Sequence, residues 1–324
     1  MIRKDAKHKE RTACGVGSAL MDIIVEENDQ FLIDNEIVKG GMCLVDRDKI
    51  TDITESIVTA PVSAPGGSAC NTVVALGNLL GEAKFIGCRG DDNVGHFLEM
   101  SLRENNVQPS LYVTDEAETG RVISVVTPDA QRSMVTYLGA SALTPPQFFT
   151  PSMFLSAYVV HFEAYLVFNE QLFAAALDAA KSAGSMISLD LSSFNLVKEN
   201  LPLFEKFVRK YVDIVFANED EVAAYGGIDK MVKDCPTVVA KYGKNGSHVF
   251  TGGSYCAIPP YGVGGVIDTT GAGDLYAGGF LYGIIKELPV EVCGYIGSVC
   301  GYEVCKVLGA HLPKQTWEDI KKVI

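Results

Sequence analysis

Short apolar segments typical of β-strands alternate with amphipathic helical segments along most of this 324-residue chain. Such alternation with short connections favours a parallel sheet that is covered by helices on both faces. We therefore expect an α/β fold of three layers, α/β/α, around a central and mostly parallel sheet. The patterns predict strands over 13–17, 85–88, 186–190 and 212–217, helices over 171–183 and 203–210, and three more helices that begin near residues 274, 291 and 315.

Two regions interrupt this alternation. Residues 119–126 and 133–138 have β patterns joined by a turn sequence, and residues 31–62 are poor in helical periodicity. Two separated β regions in an α/β chain predict a small sheet that stands off the main body. We call this predicted sheet the lid and expect it to be built from about 31–62 and 110–138. The sequence has no repeat and no interdomain linker, so a single domain over 1–324 is expected.

The formal net charge of −13 weighs against partners such as nucleic acid or an anionic membrane surface. The basic cluster at residues 3–11 also holds acidic residues and is interpreted as a solvated tail, without the apolar region of a secretory signal. No apolar run approaches the roughly 20 residues of a membrane-spanning helix. The nine cysteines form no Cys-x-x-Cys pair, so neither a zinc site nor a redox dithiol is indicated. Scattered thiols fit a reducing compartment, so we expect a cytoplasmic protein. A monomer or a homodimer is expected.

The most informative segment runs from an apolar strand end through a Gly-Ala-Gly turn into an amphipathic helix, over residues 266–284. Gly271, Ala272 and Gly273 let the backbone approach a ligand closely, and glycine can adopt the φ values that an anion-binding nest requires. The unpaired N–H groups of the first helical turn and the helix dipole also favour an anion there. The segment therefore predicts an anion-binding site.

Asp274 lies inside this predicted anion site, where a carboxylate would repel a bound phosphate. Its presence is explained if it accepts the proton of a hydroxyl group that attacks phosphorus. The alternative is that Asp274 is only a favourable acidic residue in a first helical turn. The Asp-Thr-Thr-Gly-Ala-Gly run that precedes it favours the catalytic interpretation.

Three motifs resemble those of the ribokinase-like (PfkB) carbohydrate and nucleoside kinases, and they occur along the chain in the same order as in that family. Residues 268–274, Asp-Thr-Thr-Gly-Ala-Gly-Asp, resemble the C-terminal signature of that family. Residues 65–71 and 87–92 resemble its upstream signature, and residues 218–221, Asn-Glu-Asp-Glu, resemble its Asn-x-x-Glu motif. The resemblance covers nearly the whole chain and implies an ATP-dependent kinase with an alcohol group as acceptor, on a ribokinase-like fold with a small β lid.

The resemblance also implies roles for individual residues. Asp274 would be the catalytic base, and the amides of Gly271, Ala272 and Gly273 would form the anion hole. The residues implied to bind the acceptor are Asp22, Gly66, Gly67 and Asn71. Those implied to bind ATP are Asn218, Lys241, Gly243 and Gly246.

Two cation sites are implied by the same resemblance. Glu221 would act on Mg²⁺, largely through water. Asp268 and the carbonyl of Thr270 would lie at a site for a monovalent cation such as K⁺, which the loop near Gly309 would complete. The expected cofactors are therefore ATP, Mg²⁺ and K⁺.

Several of these residues also have purely structural explanations. The glycines at 66–67 could form an ordinary turn before a helix that Ser68 caps, and Asp22 could be a solvated loop acid. Asn218 could cap the helix that follows it, with a capping box completed three residues later, and capping can coexist with metal binding. Arg132 in the lid turn could reach phosphate, but a solvent-facing charge is favoured. His161 is expected to be a satisfied core histidine rather than a ligand.

Other function classes have weaker support. Gly15-Val16-Gly17 begins like a dinucleotide fingerprint, but Leu20 stands where the third glycine of a nicotinamide-dependent oxidoreductase belongs. The sequence has no Walker-A motif and no protein-kinase motifs. A non-catalytic ligand-sensing module on the same fold is a further alternative, against which the intact Asp274 argues.

The acceptor is suggested by motifs within the family. Residues 15–22 and 136–140 look most like the adenosine kinase branch, although Ser18 departs from the asparagine often found there. Lys241 departs from the threonine that is common in the adenine-side loop. We expect the 5′-hydroxyl of adenosine as the acceptor, with ribose, fructose or a related sugar as the alternative. Aromatic candidates for a base-binding slot are Phe162, Tyr165 and Phe168, with the alternative that the same residues belong to the core.

Overall fold

The computed structural model describes residues 11–129 and 131–324. The predicted solvated tail at 3–11 therefore lies, except for Arg11, outside the described residues. The strands are β1 (Thr12–Val16), β2 (Leu20–Glu26), β3 (Met42–Leu44), β4 (Val62–Gly66), β5 (Ala83–Gly90), β6 (Val107–Thr114), β7 (Thr119–Val126), β8 (Arg132–Gly139), β9 (Ala157–Glu163), β10 (Met186–Asp190), β11 (Ile214–Asn218), β12 (Thr237–Lys241), β13 (Ser247–Thr251) and β14 (Ser254–Ile258).

The α-helices of the described residues lie in two stretches of the chain, over residues 29–104 and 170–323. They are α1 (Asp29–Asp34), α2 (Arg47–Ser56), α3 (Ser68–Leu80), α4 (Asn93–Glu104), α5 (Glu170–Ser182), α6 (Phe194–Glu199), α7 (Leu201–Tyr211), α8 (Glu219–Tyr225), α9 (Ile228–Asp234), α10 (Ala272–Ile285), α11 (Val290–Val304) and α12 (Lys314–Val323). Within the described part of the chain, none of them is long and apolar enough to cross a membrane.

The main sheet has nine strands in the order β14-β13-β12-β11-β10-β9-β1-β5-β6. Seven neighbouring strands, from β12 to β6, run parallel, and β13 and β14 add an antiparallel edge. Successive residues of a strand point to opposite faces. In β11, Val215 and Ala217 join the core beneath α5 and α7, whereas Ile214 and Phe216 join the core beneath α3 and α10. Helices therefore cover both faces, as the strand–helix alternation predicted.

The second sheet has five strands in the order β3-β8-β7-β2-β4. One of its faces packs on α2 through Ile50 and Ile53, which are buried against Val25, Ile123 and Val135. The predicted strands at 119–126 and 133–138 belong to it, and so do β2 and β4, which begin or end outside the predicted lid ranges. The small sheet itself is therefore present.

Two details of the predicted lid are wrong. Residues 107–114 form β6, which pairs with β5 at the edge of the main sheet. Residues 31–62 include most of α1 and all of α2, although helical periodicity was not recognised there. In α2 only Ile50 and Ile53 are buried, so the apolar signal covers a single helical turn and the remaining positions are polar.

The polar residues that matter most lie at the carboxyl ends of the parallel strands. Glu163 ends β9, Asp190 ends β10, Asn218 ends β11 and Lys241 ends β12. The register pairs Asp190 with Glu163 and Asn218 with Lys241, so these side chains start from the same edge of the sheet. Ligands of open α/β sheets bind outside this edge. The second sheet faces the same edge and leaves a cleft between the two sheets.

Candidate active site

The Gly-Ala-Gly turn begins α10. Gly271 is the N-cap of this helix and has φ +73°, a left-handed conformation that favours glycine. A Cβ atom at this position would also lie 2.6 Å from Cβ of Ala310, so no larger residue fits without movement. Asp274 lies in the first turn that follows, together with the backbone N–H groups that a helix start leaves without intrahelical partners.

The carboxylate of Asp274 is held by two side chains from the first turn of α3. Ser68 Oγ donates to Oδ1 at 2.8 Å and Asn71 Nδ2 donates to Oδ2 at 3.0 Å. Burial raises the pKa of Asp274 to about 6, and the nearby Asp190 acts in the same direction, whereas the two hydrogen bonds act against this rise. The group is therefore mostly ionised at neutral pH and close to the range in which a carboxylate can exchange a proton.

A first cavity of about 330 Å³ lies between the two sheets and opens onto Asp274. This volume falls in the range of small-molecule sites. Ten of the predicted site residues line it: Asp22, Gly67, Asn71, Asn218, Glu221, Lys241, Thr270, Gly271, Gly273 and Asp274. Its opposite wall comes from the second sheet and is mixed. The apolar residues are Leu20, Met42, Leu44, Val122, Met134 and Leu138, and the polar ones are Asp22, Ser124, Arg132 and Thr136.

A second cavity of about 380 Å³ lies on the other side of the same turn. Gly243 and Gly246 line it, and so does Ala272, the predicted anion-hole residue absent from the first cavity. Much of its remaining wall comes from residues 260–264 and from aromatic side chains. Lys241, Thr269 and Gly273 line both cavities, so the two spaces meet at the start of α10.

Asp22 is a buried carboxylate that faces the first cavity. Its side chain is 8% exposed, and none of the described residues donates a hydrogen bond to it or forms an ion pair with it. Burial raises its pKa to about 7, Asp274 acts in the same direction, and Arg132 opposes this rise. A Cβ atom on Gly66 would lie 2.1 Å from Asp22 Oδ1, so Gly66 provides the space that this carboxylate occupies.

Asn218 and Glu221 form a complete capping box at the start of α8. Asn218 Oδ1 accepts from the backbone N–H of Glu221 at 2.9 Å, and Glu221 Oε2 accepts from the backbone N–H of Asn218 at 2.8 Å. A third hydrogen bond of 2.9 Å joins Asn218 Nδ2 to Glu221 Oε1. Burial and the neighbouring Asp190 raise the pKa of Glu221 to about 7. The structural explanation of this pair is therefore correct, and both residues also line the first cavity.

Asp268 and Thr270 lie together beside the anion turn. Asp268 Oδ1 accepts from the backbone N–H and the hydroxyl of Thr270 at 2.9 and 2.7 Å, and Oδ2 accepts from Gly309 N–H at 2.9 Å. Asp268 is buried, and no described cationic side chain forms an ion pair with it. The loop at Gly309 thus lies against the carboxylate of Asp268.

Comparison with known proteins identifies the family to which the chain belongs. Residues 34–317 match the family described as pfkB family carbohydrate kinases. The chain belongs to this family. Fructokinase-1 of Oryza sativa subsp. japonica is 31% identical over 256 residues, which cover 72% of this chain and 78% of that relative.

Solved structures agree with membership of the pfkB family. A probable sugar kinase from Rhizobium etli CFN 42 is 31% identical, with a TM-score of 0.89 over 97% of this chain and 98% of that chain. Adenosine kinase from Sinorhizobium meliloti is 29% identical, with a TM-score of 0.89 over 97% of this chain and 100% of that chain. The predicted family and fold are confirmed. This pfkB protein is an ATP-dependent kinase that acts on a hydroxyl group of a sugar or nucleoside.

Two predictions around the site of this kinase are wrong. Ser68 is not the cap of α3: Gly67 occupies that position without a side-chain hydrogen bond, and Ser68 instead binds Asp274. Arg132 does not face solvent, because it reaches across from the second sheet to the hydroxyl of Thr270 and lines the first cavity. Both errors arise from contacts between residues that are far apart in the sequence.

The aromatic candidates and the core histidine had mixed outcomes. Of the three proposed aromatic residues, only Tyr165 lines the first cavity; Phe162 is buried in the core and Phe168 is 47% exposed. His161 is buried as predicted, and its Nδ1 lies 2.9 Å from Ser188 Oγ. Its Nε2 has no hydrogen-bond partner in the described part of the chain, so this histidine is only half satisfied.

Two carboxylates of this pfkB kinase were missed in the sequence. Glu163 is buried and accepts from the backbone N–H groups of Ser18 and Ala69 at 2.8 and 2.9 Å, which fixes the start of α3 relative to β1. Asp190 pairs with Lys241 at 2.6 Å. Glu163 ends β9 and Asp190 ends β10. A polar residue at the carboxyl end of a buried parallel strand is the sequence signal that could have identified both.

Proposed function

We propose that this kinase transfers the γ-phosphoryl group of ATP to the 5′-hydroxyl of adenosine. The observation that carries the proposal is the composition of the first cavity: Asp274 lies at the start of α10, and the second sheet opposite it supplies both the carboxylate of Asp22 and a set of six apolar side chains. A free sugar is polar on all sides and would leave some of its hydroxyls unpaired against the six apolar side chains. A nucleoside presents hydroxyls at one end and an apolar ring face at the other.

Asp274 is proposed as the catalytic base. The attacking oxygen loses its proton to the carboxylate while its bond to the γ-phosphorus forms and the bond to the bridging oxygen of ADP breaks. Gly271, Ala272 and Gly273 are proposed to support the developing charge through their backbone N–H groups. Ala272 would have to exchange its present hydrogen bond to the Thr269 carbonyl, 3.2 Å, for one to the phosphoryl group. The hydrogen bonds from Ser68 and Asn71 to Asp274 support this role, because they orient both carboxylate oxygens.

Asp22 is proposed to bind the ribose hydroxyls. A buried carboxylate without a donor is costly, and the two hydroxyls of a ribose would supply donors to its two oxygens. Gly66 and Gly67 leave room for this contact. Asn71 also fits an acceptor-binding role, because its buried Oδ1 has no hydrogen-bond partner among the described residues.

The second cavity is proposed to hold the nucleoside part of ATP beside Gly243 and Gly246. The phosphates would then extend past Lys241 and Gly273 toward Asp274, because these two residues line both cavities. Asn218 lies at the edge of the same space. This path brings the γ-phosphoryl group to the anion turn from the side opposite the acceptor.

The residues fit the two proposed cations in different ways. Both oxygens of Glu221 already hold Asn218, so Glu221 would reach Mg²⁺ through water, using lone pairs that the capping box leaves free. Mg²⁺, when bound, would neutralise charge on the ATP phosphates. The buried Asp268 and the Thr270 carbonyl would hold a monovalent cation such as K⁺, which would balance a carboxylate that has no ion-pair partner among the described residues.

The experiment is a panel of acceptors with ATP and Mg²⁺, scored by ADP release and by isolation of the phosphorylated product. Adenosine is expected to show the highest kcat/KM among nucleosides and free sugars. The second candidate is a free-sugar kinase, which the similarity to fructokinase-1 of Oryza sativa and to the Rhizobium etli probable sugar kinase favours. A higher kcat/KM for fructose or ribose would select it. No turnover with any acceptor would instead support a non-catalytic ligand-sensing module.

A further inference from the structure

Lys241 occupies the junction between the two cavities. It is the last residue of β12, and its Nζ lies 2.6 Å from Oδ2 of Asp190, the last residue of β10. The two side chains are 15% and 4% exposed, so this is an enclosed ion pair. The neighbouring carboxylates of Asp190 and Glu221 outweigh the effect of burial and raise the pKa of Lys241, which therefore stays protonated at neutral pH.

The ammonium group of Lys241 also faces the anion turn. A Cβ atom built on Gly273 would lie 3.0 Å from Lys241 Nζ, and that Cβ would meet no other atom within 4 Å except Lys241 Cε. Glycine at 273 therefore leaves an open path between the ammonium group and the first turn of α10. A phosphoryl group bound at that turn would lie within reach of Nζ.

The charge of the first cavity favours such a contact. Five carboxylates line it, from Asp22, Glu163, Asp190, Glu221 and Asp274, and the cationic side chains that line it are Lys241 and Arg132. A polyphosphate entering this space meets strong repulsion unless cations offset it. Arg132 is already hydrogen-bonded to Thr270 on the side of the second sheet. Lys241 is the cation beside Gly273 and the passage to the second cavity.

We propose that Lys241 is a further catalytic residue, which binds the γ-phosphoryl group during transfer, and that Asp190 is a positioning residue that holds the ammonium group beside Gly273. The proposal rests on the proposed use of ATP in these two cavities. Lys241 keeps its proton throughout and only donates hydrogen bonds. The acceptor proton goes to Asp274, the acceptor oxygen bonds to phosphorus, and the electron pair of the broken bond stays with ADP.

The pairing with Asp190 gives the lysine a fixed starting position. A lysine side chain has several rotatable bonds. A lysine side chain without an ion-pair partner would lose much rotamer entropy on binding a ligand. Because the ion pair already fixes these bonds, the ammonium group can stabilise the transferring group with little rearrangement. Three ammonium hydrogens also allow Lys241 to contact Asp190 and a phosphoryl oxygen at the same time.

The first test measures nucleotide affinity without an acceptor, so that it does not depend on which hydroxyl compound is phosphorylated. Calorimetric titrations with ADP and with the non-hydrolysable analogue AMP-PNP compare wild type, Lys241→Met and the exposed control Lys206→Met. We expect Lys241→Met to weaken AMP-PNP binding about 10- to 100-fold, the size of a lost charged hydrogen bond, with ADP affinity nearly unchanged. Equal loss for both nucleotides, or no loss for either, would overturn the role of Lys241 at the γ-phosphoryl group.

The second test separates catalysis from simple neutralisation of Asp190. The double variant Asp190→Asn/Lys241→Met removes both members of the ion pair, so neither is left as an unpaired buried charge. It can therefore replace Lys241→Met in this test if that single variant fails to fold. We expect the double variant to keep a kcat about 10²-fold below wild type, a typical loss for one donor to a developing oxyanion, with the acceptor KM little changed. Recovery of wild-type kcat in the double variant would show that Lys241 only neutralises Asp190.

Two further results complete the design. Lys241→Arg is expected to recover part of the lost kcat, because it restores a cation beside Gly273. Asp190→Asn alone keeps the lysine and is expected to raise the KM for ATP with a smaller loss of kcat. If wild type binds neither nucleotide, the proposed function fails and the inference about Lys241 fails with it, whereas normal nucleotide binding without turnover of adenosine overturns only the acceptor.

Discussion

Ser68 Oγ donates a hydrogen bond of 2.8 Å to Asp274 Oδ1, although the two residues are 206 positions apart in the chain. The contact joins the first turn of α3 to the first turn of α10 at the floor of the first cavity. It favours the ionised form of Asp274 and acts against the pKa rise that burial causes. The pH range in which Asp274 can act as a base therefore depends on a residue of another helix.

Replacement of Asp274 by asparagine should lower kcat by ~10²- to 10⁴-fold, the usual contribution of a general base. ATP affinity should stay close to that of wild type, because the amide keeps the shape of the carboxylate and removes only its basicity. Steady-state kinetics and calorimetry with AMP-PNP would measure both effects. Asp319→Asn, at a side chain that is 59% exposed on α12, is the matched control. Unchanged turnover in Asp274→Asn would remove this residue from the mechanism.

The pH profile of kcat/KM should fall on the acid side below about pH 6, because Asp274 must be ionised to accept a proton. In Ser68→Ala the carboxylate loses one donor, its pKa rises, and the acid limb should move to higher pH. Ser152→Ala, an exposed serine remote from the first cavity, should leave the profile unchanged. A limb that stays in place, or moves to lower pH, in Ser68→Ala would contradict the assignment of Asp274.

Asp22→Asn should raise the KM for adenosine by about 10- to 100-fold, because a charged hydrogen-bond acceptor for the ribose hydroxyls is lost. The KM for ATP should change little, since Asp22 does not line the second cavity. A deoxynucleoside provides the cross-check: the variant should discriminate less than wild type between adenosine and 2′- or 3′-deoxyadenosine. Equal discrimination in both proteins would place the ribose elsewhere.

The same substitution should stabilise the protein in a pH-dependent way. Burial raises the pKa of Asp22 to about 7 from its usual 3.8, so the folded state holds a proton that the unfolded state has released. Stability from this group is therefore present at low pH and is lost as pH rises from about 4 to about 7. Asp22→Asn should melt at a higher temperature than wild type at pH 8 and at nearly the same temperature at pH 4. An effect of opposite sign at pH 8 would show that Asp22 is stabilised as an anion.

Removal of Mg²⁺ by a chelator should abolish turnover, and Glu221→Gln should raise the Mg²⁺ concentration needed for half-maximal activity by about tenfold or more. Glutamine can still accept from the backbone N–H of Asn218 and complete the capping box, but its NH2 group cannot accept the further hydrogen bond from Asn218 Nδ2, so a small fall in melting temperature is expected. Glu219→Gln, in the same helical turn but exposed, is the control. An unchanged Mg²⁺ dependence in Glu221→Gln would leave Glu221 with a capping role alone.

Local patterns in the sequence were sufficient for four of the nine strands of the main sheet, for the anion turn and for the capping box. Strand β10 was predicted at its observed bounds, Met186–Asp190, because its short segment rich in apolar residues follows directly on an amphipathic helix. The turn at Gly271 and the box at Asn218 could also be predicted, since both depend on residues within four positions of one another. Helix α2 was missed because its two buried residues are too few to establish a period.

The sequence by itself therefore determined the class of fold, the position of the anion turn and the residue types that it contains. Only the tertiary structure decided which side chains meet there: Ser68 with Asp274, Arg132 with Thr270, and Asp190 with Lys241. These pairs are separated by 206, 138 and 51 positions. The physical reason is that contacts over such separations depend on the order of strands in the sheets and on the packing of helices across them. No short-range pattern of propensity or hydrophobicity records that order.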